Sequence, residues 1–299
     1  MTARRIRPAR LCRAWLFLEG ANEAVLAKAA TRGADVLIHE LEDFTPPLLR
    51  PKARALAPEM YAQWRAQGAV VAVRVNPLDA DGMDDLAAVM RGRPDIVALP
   101  KVAEPAHVTQ LAEAVARFER DYGIAEGATM LLPNIEFARG LVQLGAIASV
   151  SPRVTACLMA AEDLAADLGA EREPDGVELA YARQRFLVEC VAAGVVAVDC
   201  PYTFSDAEGV ERETRWARRL GYKAKSTVDP AHPAIINRVL TPDEAELARA
   251  RAIVTEFEAA RERGEARVDV GGSLVEVPTY ATAKRLLARH DELRSWTSY

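Results

Sequence analysis

The sequence predicts a closed (β/α)8 TIM barrel followed by a C-terminal helix and hairpin extension. Three observations carry the prediction. Apolar runs with β-branched character recur at residues 14–18, 35–41, 69–75, 95–99, 129–135, 154–159, 194–198 and 222–228, which makes eight candidate strands. Between them, apolar residues fall at three- and four-residue spacing over 23–31, 53–66, 106–122, 138–148, 179–193 and 208–220, the period of amphipathic helices. Polar residues close several of the runs, as they do where strands open into the C-terminal mouth of a parallel barrel. Alternating strands and helices imply parallel strands joined by crossovers. Eight repeats over about 230 residues suit a closed barrel, of roughly 250 residues typically, better than an open doubly wound sheet. No GxGxxG follows the first run, which removes the dinucleotide-binding alternative.

The barrel is expected over residues 1–240 and the extension over 241–299. In the extension, residues 242–263 read as a charged helix with Ala, Leu and Val on one face. Two short apolar runs, 266–270 and 274–277, flank Gly271-Gly272 and give a hairpin signal, and a last helix is expected over about 280–292. At this length the extension is a lid or an oligomerisation arm, or a tail packed on its own barrel, rather than a domain.

Composition bounds the function. A net charge of −5, with Lys and Arg spread along the chain, argues against a nucleic-acid surface. No stretch approaches the roughly 20 apolar residues that span a bilayer, and the Arg-rich residues 1–13 carry no apolar leader core, so neither membrane insertion nor export is expected. Cys12, Cys157, Cys190 and Cys200 lack metal-binding spacing and read as reduced core thiols, which suggests the cytoplasm.

The run-closing residues are Glu42-Asp43, Arg74, Glu136 and Glu162-Asp163. Side chains two apart on a strand share a face, which groups Glu40 with Glu42, Arg74 with Asn76, and Asn134 with Glu136. Several carboxylates buried together resist ionisation through desolvation and mutual repulsion. A divalent cation resolves the conflict. Two carboxylates with the other positions left to water and substrate oxygens is the magnesium style, whereas zinc would call for Cys and His. Such an ion polarises a carbonyl and stabilises an enolate while an Arg fork grips a carboxylate, so the implied chemistry is carbon–carbon cleavage or condensation. Each residue also has a plainer reading. Glu136 could be a cap or a surface ion pair, Arg74 could neutralise Glu42-Asp43, and Asp163 could cap the next helix. Lys101 reads as a solvated lysine outside the core site, and His39, alternating away from Glu40, as a structural imidazole facing the helices.

These residues, in this order, resemble the citrate lyase β-subunit-like branch of the HpcH/HpaI aldolase/citrate lyase family. The resemblance rests on LFLEG from Leu16, LEDFTPP from Leu41, VRVNPLD from Val73, ALPKV from Ala98, PNIEFARG from Pro133, AEDLAADLG from Ala161, AVDCPYT from Ala197, GYKAKSTVDP from Gly221 and GGSLVEVP from Gly271. It implies an oligomeric, magnesium-dependent TIM barrel, a trimer or hexamer, that cleaves or condenses 3-hydroxyacyl-CoA thioesters or aldol-type 2-oxo acids. Mn2+ is a substitute for Mg2+. Carried over by position, Glu136 and Asp163 are the implied metal ligands, Glu42 and Asp43 the carboxylates that orient metal-bound water, and Arg74, with Asn76 beside it, the grip on the substrate acid. Glu276 is the implied acid/base group, supplied from a neighbouring subunit.

The chain departs from the family pattern in four places. Glu19 stands where relatives commonly have Pro, Glu40 replaces Asp in Asp-Leu-Glu-Asp, Asp229 replaces His before Pro230, and Glu276 replaces Asp. Three readings follow. The first is a lyase acting on malyl-, citramalyl- or citryl-CoA, the second a CoA-independent class II aldolase acting on a 2-oxo acid, and the third a catalytically silent barrel that binds metal and acid.

Overall fold

The computed structural model describes residues 6–297. The chain divides into two compact units, Met1–Leu240 and Thr241–Tyr299. In the first, eight parallel strands close in sequence order into a barrel. The order is β1 (Ala14–Glu19), α1 (Glu23–Lys28), β2 (Val36–Glu40), α2 (Arg50–Ala66), β3 (Val70–Arg74), α3 (Gly82–Val89), β4 (Ile96–Leu99), α4 (Pro105–Asp121) and β5 (Met130–Ile135). It continues through α5 (Ala138–Val142), α6 (Leu144–Ser149), β6 (Ala156–Met159), α7 (Glu162–Leu168), α8 (Ala180–Ala193), β7 (Val196–Asp199), α9 (Ala207–Leu220), β8 (Ala224–Thr227) and α10 (Pro233–Leu240).

All eight expected strands form. The helical pattern over 138–148 is two helices, because Gln143 leaves helical geometry (φ −105°, ψ 5°). Sequence periodicity misses α3, α7 and α10, whose seven or eight residues hold too few turns for a period to emerge.

Strand alternation sorts the core into two shells. Trp15, Ile38, Ala72, Ala98, Leu132 and Leu158 pack inside the barrel. Their neighbours, including Leu16, Leu37, Val71, Val97 and Cys157, pack outward against the helices. All four cysteines are free and buried. His39 lies in the outer shell, where Nδ1 meets Tyr61 Oη at 3.0 Å and Nε2 meets the Gly20 carbonyl at 2.9 Å. The outer shell also holds a buried charge network. Asp199 accepts from Arg183 Nε (2.9 Å), Arg183 Nη2 (2.8 Å) and Lys225 Nζ (2.8 Å), and Glu213 accepts from Arg183 Nη1 (3.1 Å).

In the second unit, α11 (Glu244–Glu262) begins with a reciprocal capping box between Asp243 and Glu246. The strands β9 (Val268–Val270) and β10 (Ser273–Val275) pair antiparallel. Gly271 (φ 60°) and Gly272 (φ 78°) supply the positive φ values that a two-residue hairpin turn needs. The last helix, α12 (Val277–Thr297), is longer than the sequence pattern indicates. It packs on α11 through Tyr280 stacked on Phe257 at 4.8 Å between centroids. Among the described residues, no helix is long and apolar enough to cross a membrane.

Burial pulls the His39 pKa down from 6.5 to about 4, against the Gly20 hydrogen bond that raises it. The native state therefore holds this ring neutral while the unfolded chain protonates it, so stability is lost as pH falls from about 6.5 to about 4. At about 1.4 kcal/mol per unit, the loss is on the order of 3 kcal/mol. Denaturant unfolding across that range should show this slope, and His39→Gln should flatten it. An unchanged slope in the variant would assign the loss to other groups.

Candidate active site at the barrel mouth

Several inward strand faces end in a polar residue where the barrel opens. In β2 that residue is Glu40, in β3 it is Arg74, and just past β5 it is Glu136. Register brings the first two side by side, since Glu40 pairs with Arg74 across β2 and β3. Arg74 Nε donates to Glu40 Oε1 at 2.9 Å, while its Nη1 lies 3.4 Å from Glu42 Oε2 and 3.8 Å from Glu136 Oε1. Its guanidinium sits over the rings of Phe17 (5.0 Å) and Phe44 (5.6 Å). Burial works against the Arg74 charge, but Glu40, then Glu42 and Glu136, outweigh it and raise the pKa.

The expectation that Glu40 and Glu42 act as an alternating pair is corrected by where β2 stops. Past Glu40 the chain turns, and the Glu40 carboxylate folds back to accept the amides of Glu42 (2.7 Å) and Phe44 (2.6 Å). Glu40 is thus the anchor of Arg74. The turn packs closely enough that a Cβ on Gly20 would lie 2.3 Å from the Glu40 carbonyl. Glycine there lets the ends of β1 and β2 approach.

Lys101, set aside by the sequence reading, joins the cluster. Its Nζ lies 2.5 Å from Glu42 Oε1 and 3.8 Å from Asp43 Oδ1. Its φ of +55° is unusual for a residue with a Cβ, and backbone strain of this kind is not legible in sequence. Burial still pushes the Glu42 carboxyl up, more than Arg74 and Lys101 pull it down. Asn76 is not placed as a substrate contact. Its Nδ2 donates to the Leu41 carbonyl and to Asp85 Oδ2, both at 2.8 Å, so it ties the end of β3 to β2 and α3.

Glu136 is fully buried, and neither carboxylate oxygen has a hydrogen-bond partner. Burial raises its pKa to about 8; Arg74 opposes the shift, and Glu42 and Asp163 add to it. Asp163, half-buried in the first turn of α7, lines a cleft of about 230 Å³ together with Asp43, Phe44, Arg74, Leu158 and Thr203. Glu162, also on that cleft, accepts from Thr203 Oγ1 at 2.5 Å and Arg172 Nε at 3.2 Å. Glu19 closes β1 as an exposed carboxylate that accepts from Asn22 at 3.2 Å. Asp229 follows β8 and accepts from the Ala231 amide at 2.8 Å. Glu276 is exposed in the second unit, between β10 and α12.

A magnesium ion fits this donor set. The two Glu136 oxygens, with Asp163 close enough to raise the Glu136 pKa, are hard oxygen donors that lack a hydrogen-bond partner. Among the described residues, no group of three or more His, Cys, Asp or Glu is arranged to hold a metal. The protein would therefore supply two carboxylates and leave the other positions to water and ligand, as magnesium accepts.

Comparison with known proteins agrees with this geometry. The profile of the HpcH/HpaI aldolase/citrate lyase family matches residues 13–230. The citrate lyase subunit beta of Leuconostoc mesenteroides subsp. cremoris is 32% identical over 280 residues, 93% of each chain. A (3S)-malyl-CoA thioesterase of Cereibacter sphaeroides is 31% identical over 95% of this chain and 96% of its own. Among solved structures, CitE of Mycobacterium tuberculosis in complex with magnesium, acetoacetate and coenzyme A superposes with a TM-score of 0.74. It is 27% identical, over 94% of this chain and 99% of that one. The chain belongs to the HpcH/HpaI aldolase/citrate lyase family.

Replacing Glu136 with Gln puts a neutral amide in place of a buried carboxyl whose ionisation is opposed by burial, Glu42 and Asp163. Glu136→Gln should therefore melt at the same temperature as the wild type or a few degrees higher in chelator, about 2–4 °C per kcal/mol at this size. Magnesium should raise the melting temperature of the wild type and not that of the variant. Equal magnesium responses would show that the ion binds elsewhere.

Proposed function

We propose that this family member is a magnesium-dependent carbon–carbon lyase that cleaves or forms a 3-hydroxyacyl-CoA of the malyl, citramalyl or citryl type. The observation that carries the reading is the fully buried, unpartnered Glu136 carboxylate beside Arg74 at the barrel mouth. Glu136 and Asp163 would hold the ion, which when bound polarises a carbonyl oxygen and stabilises enolate charge. Arg74, on the cleft lining, would grip a carboxylate or keto oxygen of the acid. Glu42, held by Lys101, and the more exposed Asp43 orient water around the ion, as outer carboxylates do. The aromatic pair Phe17 and Phe44 keeps water from the guanidinium and fixes its plane.

In the cleavage direction the 3-hydroxyl loses its proton and the adjacent carbon–carbon bond breaks. Its electron pair passes to the thioester enolate, which then takes a proton, and the former hydroxyl carbon leaves as an oxo acid. Glu276, supplied by a neighbouring copy in a trimer or hexamer, is the proposed carrier of that proton; its support is its place in GGSLVEVP. The buried free thiols suit a cytoplasmic enzyme. A second reading, the CoA-independent aldolase, is favoured by Glu19, an exposed carboxylate at the mouth that would repel an anionic thioester.

Each candidate thioester, and in parallel a 4-hydroxy-2-oxo acid, should be incubated with Mg2+, with Mn2+ and with chelator. An acyl-CoA together with an oxo acid supports the lyase, whereas free CoA with the intact hydroxy acid would make the protein a thioesterase. Turnover of the oxo acid alone would establish the aldolase. Arg74→Lys, which keeps charge but loses the planar fork, should lower kcat/KM by about 100-fold or more with the fold retained. Wild-type turnover in that variant would remove Arg74 from the mechanism.

A further inference from the structure

Asn134 is the inward residue two positions before Glu136 on β5, about 7 Å deeper along the strand. It is fully buried, and neither its Nδ2 nor its Oδ1 has a hydrogen-bond partner. Among the described residues, Asn134 and Glu136 are the side chains that leave both terminal polar atoms buried and unpaired. An apolar residue of the same size would avoid that cost. Register places Asn134 beside Leu158 on β6, and Leu158 lines the cleft together with Arg74 and Asp163. The amide therefore lies beside a residue of the cleft wall, on the inward face below the groups that would hold metal and acid.

Its chemistry differs from theirs. Carboxylates on the cleft call for a cation, whereas an amide calls for an acceptor at Nδ2 and a donor at Oδ1. A keto or carboxylate oxygen meets the first requirement alone; a hydroxyl meets both. We propose that Asn134 is a substrate-orienting residue that takes the hydroxyl of a 3-hydroxyacyl group, donating a hydrogen bond to its oxygen through Nδ2 and accepting one from its O–H through Oδ1. The inference rests on the lyase reading and assigns that reading a specificity determinant. When the hydroxyl becomes a carbonyl in the product, the bond to Oδ1 is lost, so the same residue favours hydroxy acid over oxo acid in the ground state.

The test is calorimetric titration with lactate, each enantiomer in turn, and with pyruvate, in Mg2+ and in chelator, on wild type and Asn134→Leu. These acids differ at C2, where one has a hydroxyl and the other a carbonyl. The variant should lose about 10-fold in affinity for one lactate enantiomer and about threefold or less for pyruvate, with a melting temperature equal to or above that of the wild type. Should Asn134→Leu fail to fold, Asn134→Ala is read by the same ratio. Equal losses for both acids, or no loss, would overturn the assignment while leaving the lyase reading standing. Absence of magnesium-dependent binding of either acid to the wild type would overturn that reading and this inference with it.

Discussion

The barrel mouth is organised by one buried guanidinium set against three buried carboxylates. Glu40, Glu42 and Glu136 are at most 3% exposed, and Arg74 reaches all three. Removing the guanidinium from such a set costs about 3–5 kcal/mol, because uncompensated charge stays behind in a medium that cannot solvate it. The position of Arg74 therefore constrains the turn after β2, the packing of Phe17 and Phe44, and the direction in which Glu136 points. Lys101 adds a second cation from the end of β4, more exposed, but committed to Glu42. Neither cation closes on Glu136 at hydrogen-bond distance.

The barrel makes this crowding feasible. Parallel strands in register bring Glu40 level with Arg74 without any loop having to find the geometry. Below them the interior is filled by large and small apolar side chains such as Trp15, Ile38 and Ala72, so the charged layer rests on a packed floor rather than a water channel. Two local departures finish the site. Gly20 lets the first two strand ends meet, and the positive φ of Lys101 turns the chain so that a lysine following a proline reaches back to Glu42.

The eight strands and their inward parity were legible in the sequence because strand polarity repeats every two residues and the barrel interior is apolar. The polar residues closing the runs marked the mouth for the same reason. Legibility ended where periodicity ended. Alternation put Glu42 on the face of Glu40, but β2 stops at Glu40, and the turn brings the Glu42 amide onto the Glu40 carboxylate. Asn76 shared parity with Arg74 on paper, yet β3 ends at Arg74, and Asn76 is drawn to Leu41 and Asp85. Lys101 depended on a backbone conformation with no sequence signal beyond a strand-end Leu-Pro-Lys. The short helices α3, α7 and α10 were lost because a face of two turns does not produce a period.

The contrast between two buried charge clusters in the same barrel separates structure from function. Outside the strands, Asp199 and Glu213 are matched by Arg183 and Lys225. Burial raises the Asp199 pKa, but Arg183 and Lys225 outweigh it and the net shift is downward. No polar side-chain atom of those four residues is buried without a partner among the described residues. At the mouth, with similar density of charge, the balance is reversed. Glu136 is raised, Glu42 is raised, and three carboxylate oxygens and an amide are left unpaired. A chain that completes one buried network has the means to complete the other, and apolar substitutions at the mouth would stabilise the empty barrel. That Glu42, Glu136 and Asn134 leave these atoms without hydrogen-bond partners at one end of the barrel, the last two on one strand face, is what an arrangement held ready for a cation and a hydroxylated acid requires.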